Sequence, residues 1–327
     1  MIGEALIITA AYAVDLAVGD PRFIPHPVRI IGGAVHVGDK ALRRATKSYD
    51  AQWQKAAGAA LVFMVVWATF WLTTLVNRYI PKSESSLDAM ISTAAIIWLT
   101  STTLATRGLV CAGRRVIREV KRGNIDVARK QLAMIVGRDT AALSEEKILA
   151  ASIETVAENA SDGIIAPMFY FALGGLPLAM AYKAVNTMDS MLGYRNEEYR
   201  HFGWAAARLD DAANFIPARI TALLIAAAAL FVRRTNARTS FKIMRRDGRN
   251  HASPNSGVPE AAMAGALGVR LGGPSSYGGK VVIKPYIGDD EHDITVKKAK
   301  TAVILTAVTS LLGFAITLAL AALEIHL

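Results

Sequence analysis

Residues 56–76 (AAGAALVFMVVWATFWLTTLV) and 301–323 (TAVILTAVTSLLGFAITLALAAL) contain no charged side chain. About 20 apolar residues in helical form match the hydrocarbon thickness of a bilayer, so both runs read as full membrane spans. Composition supports this: 53% of the 327 residues are hydrophobic and mean hydropathy is +0.31. That is too apolar for an ordinary soluble domain, yet 20% charged residues leave material for substantial loops. The lone cysteine, Cys111, excludes an internal disulfide and a Cys-rich zinc site. The net charge of +10 suits anionic lipid or an anionic substrate. Nucleic acid is not expected as a partner, because the basic residues lie in loops between apolar runs.

Two further runs read as spans. Residues 2–18 carry only Glu4 and Asp15 and lack the basic leader of a signal peptide. Residues 87–106 carry one acid, Asp88, at their edge. Residues 163–182 are broken by Gly174, Gly175 and Pro177, and residues 218–232 are short. Lys and Arg concentrate in 19–55, 107–162 and 233–300, which places these segments in the cytoplasm and both termini outside. Keeping 233–300 inside requires that the two ambiguous runs both cross or both fail to cross. The second option puts all polar motifs on one side. The expectation is an all-α polytopic membrane protein of one domain, 1–327, in the cell membrane. It has about four spans, two short or broken apolar helices, and helical cytoplasmic segments.

The polar segments are 15–29, 136–219 and 245–290. In the first, Gly-Asp-Pro and Pro-His-Pro fix a non-helical loop presenting Asp20, His26 and Arg29. In the second, Glu154, Glu158 and Asp162 are four apart and share a broad helix face, with Asn159 beside them. Lys183, Asn186, Thr187 and Ser190 do the same on the next helix, beside Asp189. Arg195 follows. Arg208 and Asp211 are three apart, Asp210 and Asn214 four apart, and Pro217 is expected to stop that helix before Arg219. The third segment brings Arg249, Asn250, His251 and Asn255. Its glycines, which miss the Walker A spacing, read as turns and close-packing points.

These motifs resemble the CobD/CbiB family of cobalamin biosynthesis, the adenosylcobinamide-phosphate synthases. The resemblance rests on GDPRFIPHPVR, VGRDT at 136–140, ETVAEN and DGIIAP within 154–167, AYKAVNTMDSMLGY at 181–194 and ARLDDAANFIPAR at 207–219. It continues through NHASPN at 250–255, EAAMAGALGVRLGGP at 260–274 and KPYIGD at 284–289. Ala160-Ser161 stands where the family more often carries Thr-Val. The resemblance implies an integral membrane enzyme that joins the propionate of adenosylcobyric acid to aminopropanol or its phosphate, with ATP and Mg²⁺. The partners implied are that corrinoid, the amine, the bilayer, and a second copy or other cobalamin-pathway enzymes.

ATP-dependent amide ligases usually phosphorylate a carboxylate before an amine attacks it. Such a site needs carboxylates for the metal, cations for phosphate, oxyanion donors and a base. Glu154, Glu158 and Asp162 are the candidate catalytic acids, with His251 as a base. Lys183, Arg195, Arg208, Arg219 and Arg249 are candidate phosphate clamps. Asn159, Asn186, Asn214, Asn250 and Asn255 are candidates for orienting oxygens, and Asp20, His26, Arg29 and Asp189 for holding substrate. Asp210 and Asp211 are the candidate Mg²⁺ ligands. Two other functions compete. A Mg²⁺-dependent prenyl or phospho-alcohol transferase would use Asp-Asp-x-x-Asn at 210–214. A non-catalytic corrinoid-handling subunit would carry polar residues mid-span.

Overall fold

The computed structural model describes residues 3–21, 26–79, 86–194 and 196–323. In chain order the helices are α1 (Glu4–Ala17), α2 (Pro27–Thr46), α3 (Ala51–Tyr79), α4 (Ser86–Ser101), α5 (Thr106–Lys121) and α6 (Ile125–Ala133). Next come α7 (Glu145–Ala160), a π-helical turn over Ser161–Ile165, α8 (Ala166–Leu192), α9 (Trp204–Ala213), α10 (Phe215–Ala228) and α11 (Ala237–Asp247). The chain ends with α12 (Gly257–Leu267), four short strands, and α13 (Val296–Ala322). The protein is nearly all-α, with the apolar helices of a polytopic membrane protein.

Two compact units form, both discontinuous in sequence. The first comprises residues 1–105, 166–214 and 316–327, and the second 106–165 and 215–315. The polar stretch 136–219 is therefore divided between them. In the first unit α2, α3, α8 and α9 enclose a core that includes Val35, Leu61, Met188 and Phe202. Gly58 lies so close to the Phe202 carbonyl that a Cβ there would collide with it. Phe63, Trp67 and Leu72 of α3 are exposed, as on a helix whose neighbours are lipid.

In the second unit α12 is buried at all eleven positions and packs against α7, α10 and α11. It stops at Gly268, which adopts the left-handed conformation (φ 65°) that lets the chain turn into the strands. Leu271–Gly272 (β1) pairs antiparallel with Tyr286–Ile287 (β4), and Ser275–Tyr277 (β2) with Lys280–Val282 (β3).

Among the described residues three helices are long and apolar enough to cross a membrane: 51–78, 145–192 and 296–322. The number rises to five if the interrupted pairs 87–101 with 106–121 and 204–213 with 215–228 each count as one span. The run at 56–76 falls within the first of these, and all but the last residue of 301–323 within the last. Three expectations are corrected. The run at 2–18 makes a 14-residue helix, about 21 Å long and too short to span alone. The helix at 87–106 ends at Ser101 and reaches span length only together with α5. Residues 163–182, expected to fall short of a span, lie inside the 145–192 stretch. Gly174 and Gly175 do break that stretch, with non-helical angles at both and φ 63° at Gly175.

Candidate active site

The second unit gathers charged side chains around the buried end of α7. Ser144 caps that helix by accepting from the Lys147 amide, and Glu145 and Glu146 complement the dipole at its start. Two turns on, Glu154 is 3% exposed. One carboxylate oxygen accepts from Arg138 Nη2 at 2.5 Å and the other from the Gly272 amide at 2.8 Å. One turn further, Glu158 Oε1 accepts from Ser256 Oγ at 2.7 Å. Glu260 enters from α12 as the single acid of an otherwise uncharged, buried helix. Its burial, reinforced by the charges of Glu154 and Glu158, pushes its carboxyl well above the usual glutamate range, against the pull of Lys284 and Arg138.

His251 completes this group. Its Nδ1 accepts from the Ser253 amide at 3.0 Å, which leaves the proton of the neutral ring on Nε2. Burial lowers its pKa, opposed by Glu158 and assisted by Lys284. Nδ1 is thus engaged, and the ring presents a donor rather than the base expected from sequence. Lys284 also lies over the Tyr277 ring, 5.1 Å from its centroid.

Asp139, next to Arg138, holds the Gly-rich hairpin. Its carboxylate accepts from Ser276 Oγ at 2.6 Å and from the Gly278 and Gly279 amides at 3.1 and 2.8 Å. These bonds, that from Ser276 foremost, lower its pKa. The amides a phosphate loop would offer are already occupied by this acid, in keeping with the reading of these glycines as turns. Arg246 and Asp247 anchor the returning strand: Asp247 accepts from Arg246 and from the Gly288 amide, and Arg246 also reaches Asp289.

The other predicted residues divide between the units. Asp162 is the second residue of the π turn, so the regular four-residue spacing from Glu158 is lost there. Asn159 donates to the Thr155 carbonyl of its own helix. Arg219 stacks on Phe215 and donates to Asn255 Oδ1 at 3.1 Å and the Pro254 carbonyl at 3.3 Å. Arg249 lies near enough to repel it, and this pair of cations beside Asn255 suits an anion. Asn250 is exposed on the same loop.

In the first unit, His26 caps α2 through Nδ1, which accepts from the Val28 amide, and its Nε2 lies 2.9 Å from Asp20. Arg29 reaches the Pro21 carbonyl at 3.5 Å. Lys183, Asn186 and Asp189 are half-buried on α8. Thr187 and Ser190 of the same face bond back to the Lys183 and Asn186 carbonyls, which occupies both hydroxyls. Asp211 sits 3.9 Å from Arg208, and Asp210 lies near Tyr170, whose hydroxyl donates to the Ala213 carbonyl at 2.9 Å. The helix carrying them breaks at Asn214, which is buried, rather than at Pro217. Pro217 sits in the first turn of α10, where a missing amide proton costs nothing. Arg195 lies outside the described residues.

Arg138, Asp139, Glu260, Tyr277 and Lys284 were not singled out from sequence. For Glu260 a signal existed: one acid in an uncharged run that contains Ala261–Leu267. For the others no local periodicity distinguishes them from solvated charges.

A family model described as CobD/Cbib protein matches residues 8–306. The chain is 48% identical over 296 residues to cobalamin biosynthesis protein CobD of Geobacter metallireducens, covering 88% of each. It is 45% identical over 311 residues to the CobD of Clostridium perfringens, covering 95% of this chain and 96% of that one. Cobalamin biosynthesis protein CbiB of Salmonella typhimurium is 42% identical over 313 residues, covering 94% and 95%. No solved structure matches.

Proposed function

The chain belongs to the CobD/CbiB family and so to cobalamin biosynthesis, and from that premise we propose that it is an adenosylcobinamide-phosphate synthase. It forms an amide between the propionate of adenosylcobyric acid and aminopropanol or its phosphate, in the cell membrane. The observation that carries this reading is the group of buried Glu154 and Glu260 with half-buried Glu158, Arg138 and His251, assembled from four of the motifs on which the resemblance rests.

Amide formation from an ammonium and a carboxylate requires removal of a proton and stabilisation of a developing oxyanion. Glu158 is placed to take the proton, and Ser256 orients it. His251, with its proton on Nε2, is a hydrogen-bond donor, and the upward shift of the Glu260 carboxyl favours its protonated, donating form. Arg138 and Lys284 attract the anionic reactant. Glu154 holds Arg138 in place and ties it to the strand segment through Gly272.

ATP with Mg²⁺ would supply activation of the carboxylate. Among the described residues no group of three or more His, Cys, Asp or Glu is arranged to hold a metal. Mg²⁺ bound with a nucleotide needs only one or two carboxylates, the remainder being phosphate and water. Asp210 and Asp211, half-buried neighbours in the first unit, are the candidates for those carboxylates.

The purified protein, given adenosylcobyric acid, ATP, Mg²⁺ and labelled aminopropanol phosphate, is expected to incorporate label into a corrinoid. Omitting ATP should abolish incorporation. A protein that binds the corrinoid but incorporates no label from any amine tested would be a handling subunit, and the proposal would be wrong.

A further inference from the structure

A charged cavity of about 630 Å³ lies between α5 and the start of α13 in the second unit. Arg114, Arg115, Arg118 and Lys121 line it from α5 and Lys300 from α13, with no acid in the lining. Arg118 pairs with Glu119 at 3.1 Å. The other four form no ion pair among the described residues. These four exposed cations line one cavity with no acid, and an anion bound there would offset their mutual repulsion.

The rest of the lining indicates which anion. Ile117, Val303 and Ile304 share the cavity with the cations. Ile304 is 48% exposed, and Leu311, seven residues on and therefore on the same face of α13, is 55% exposed. From Thr301 onward this helix carries no charge up to Leu323. The cations thus sit where a membrane span begins, and an exposed apolar stripe leads away from them. A soluble phosphate would use the cations and leave the stripe bare, whereas a phospholipid uses both.

We propose that this cavity binds the phosphate headgroup of an anionic phospholipid, whose acyl chains lie along Ile304 and Leu311. The site is independent of the amide chemistry proposed above, and its test requires no turnover. Cys111, the only cysteine of the chain, lines the cavity and reports on it directly.

Detergent-stripped protein is returned to nanodiscs of phosphatidylglycerol or of phosphatidylcholine, and the rate of maleimide reaction at Cys111 is measured. Native mass spectrometry counts retained lipid in parallel. Phosphatidylglycerol is expected to slow the labelling and to survive as a bound adduct, and phosphatidylcholine to do neither. Arg114→Gln, Arg115→Gln and Lys300→Gln together should weaken phosphatidylglycerol binding about 100-fold, since each basic residue at an anionic surface contributes roughly a factor of five. The same number of charges removed from α11, at Arg238, Lys242 and Arg245, should leave it unchanged and controls for folding. Equal retention of the two lipids, or unchanged binding in the cavity variant, would overturn the proposal. So would equal protection of Cys111 by inorganic phosphate without lipid, which would assign the cavity to a soluble anion.

Discussion

Glu154 and Asp211 are both acids on Ala-rich helices with a second acid within one turn, yet their surroundings have little in common. Glu154 is 3% exposed and held by Arg138, sixteen residues away, and by the Gly272 amide, 118 residues away. The side chain of Asp211 is 26% exposed, and its ion-pair partner is Arg208 on the same helix, at 3.9 Å and itself 68% exposed. The first acid has partners far away in the chain, and the second has an ion-pair partner on its own turn of helix. Spacing in the sequence treats them alike, because i,i+3 and i,i+4 relations describe a helix face and not what covers it.

That contrast can be tested, beginning with chemistry. Glu158→Gln keeps an oxygen to accept from Ser256 but cannot take a proton, so turnover should fall about 1000-fold in a protein that still folds and inserts. Near-normal turnover would reduce Glu158 to a structural contact with Ser256.

The next effect is on stability. Arg138→Ala leaves Glu154 buried without its counter-charge and should cost about 3 kcal/mol in thermal or denaturant unfolding. Arg208→Ala removes a solvated pair and should cost less than about 0.5 kcal/mol. Similar losses in both would dissolve the distinction between the two acids.

Asp210→Asn and Asp211→Asn, made singly, keep shape and remove charge. At least one should lower turnover about 100-fold through loss of a Mg²⁺ contact, with insertion unchanged. If both retain normal turnover and Mg²⁺ dependence, the metal is held elsewhere, with Glu154 and Glu158 next to examine.

The smallest effect concerns pH. The carboxyl of Glu260 is raised in the folded state above the ordinary glutamate value of 4.5. Its contribution to stability is therefore complete below that value and lost as pH rises through the raised one. Wild-type stability should decline across that window, and Glu260→Gln should remove the decline. A parallel decline in the variant would locate the titration in another group.

Much of the helical framework was legible in sequence. The charge-free run at 56–76 lies inside α3 and that at 301–323 coincides with α13 up to Ala322, and the break at Gly174–Gly175 follows from residues that give a helix little hold. Helix ends were less legible. Pro217 marks a start rather than a stop, because proline is as acceptable in a first turn as it is damaging in a middle one. Within the candidate site Glu154, Glu158 and His251 were found from spacing and motif, but Arg138, Glu260 and Lys284 were not. Nothing in the residues around Arg138 announces that it faces Glu154.

The sequence by itself determined that this chain is helical, built for a membrane and a member of the CobD/CbiB family, because hydrophobic run length and ordered motifs are properties of adjacent residues. That Glu260 lies near Glu154, Glu158 and Arg138 is a consequence of long-range packing. Only the tertiary structure divided the stretch 136–219 between two units and gave the Gly278 and Gly279 amides to Asp139. Burial and charge pairing depend on which segments come together across more than a hundred residues, and no local pattern encodes that choice.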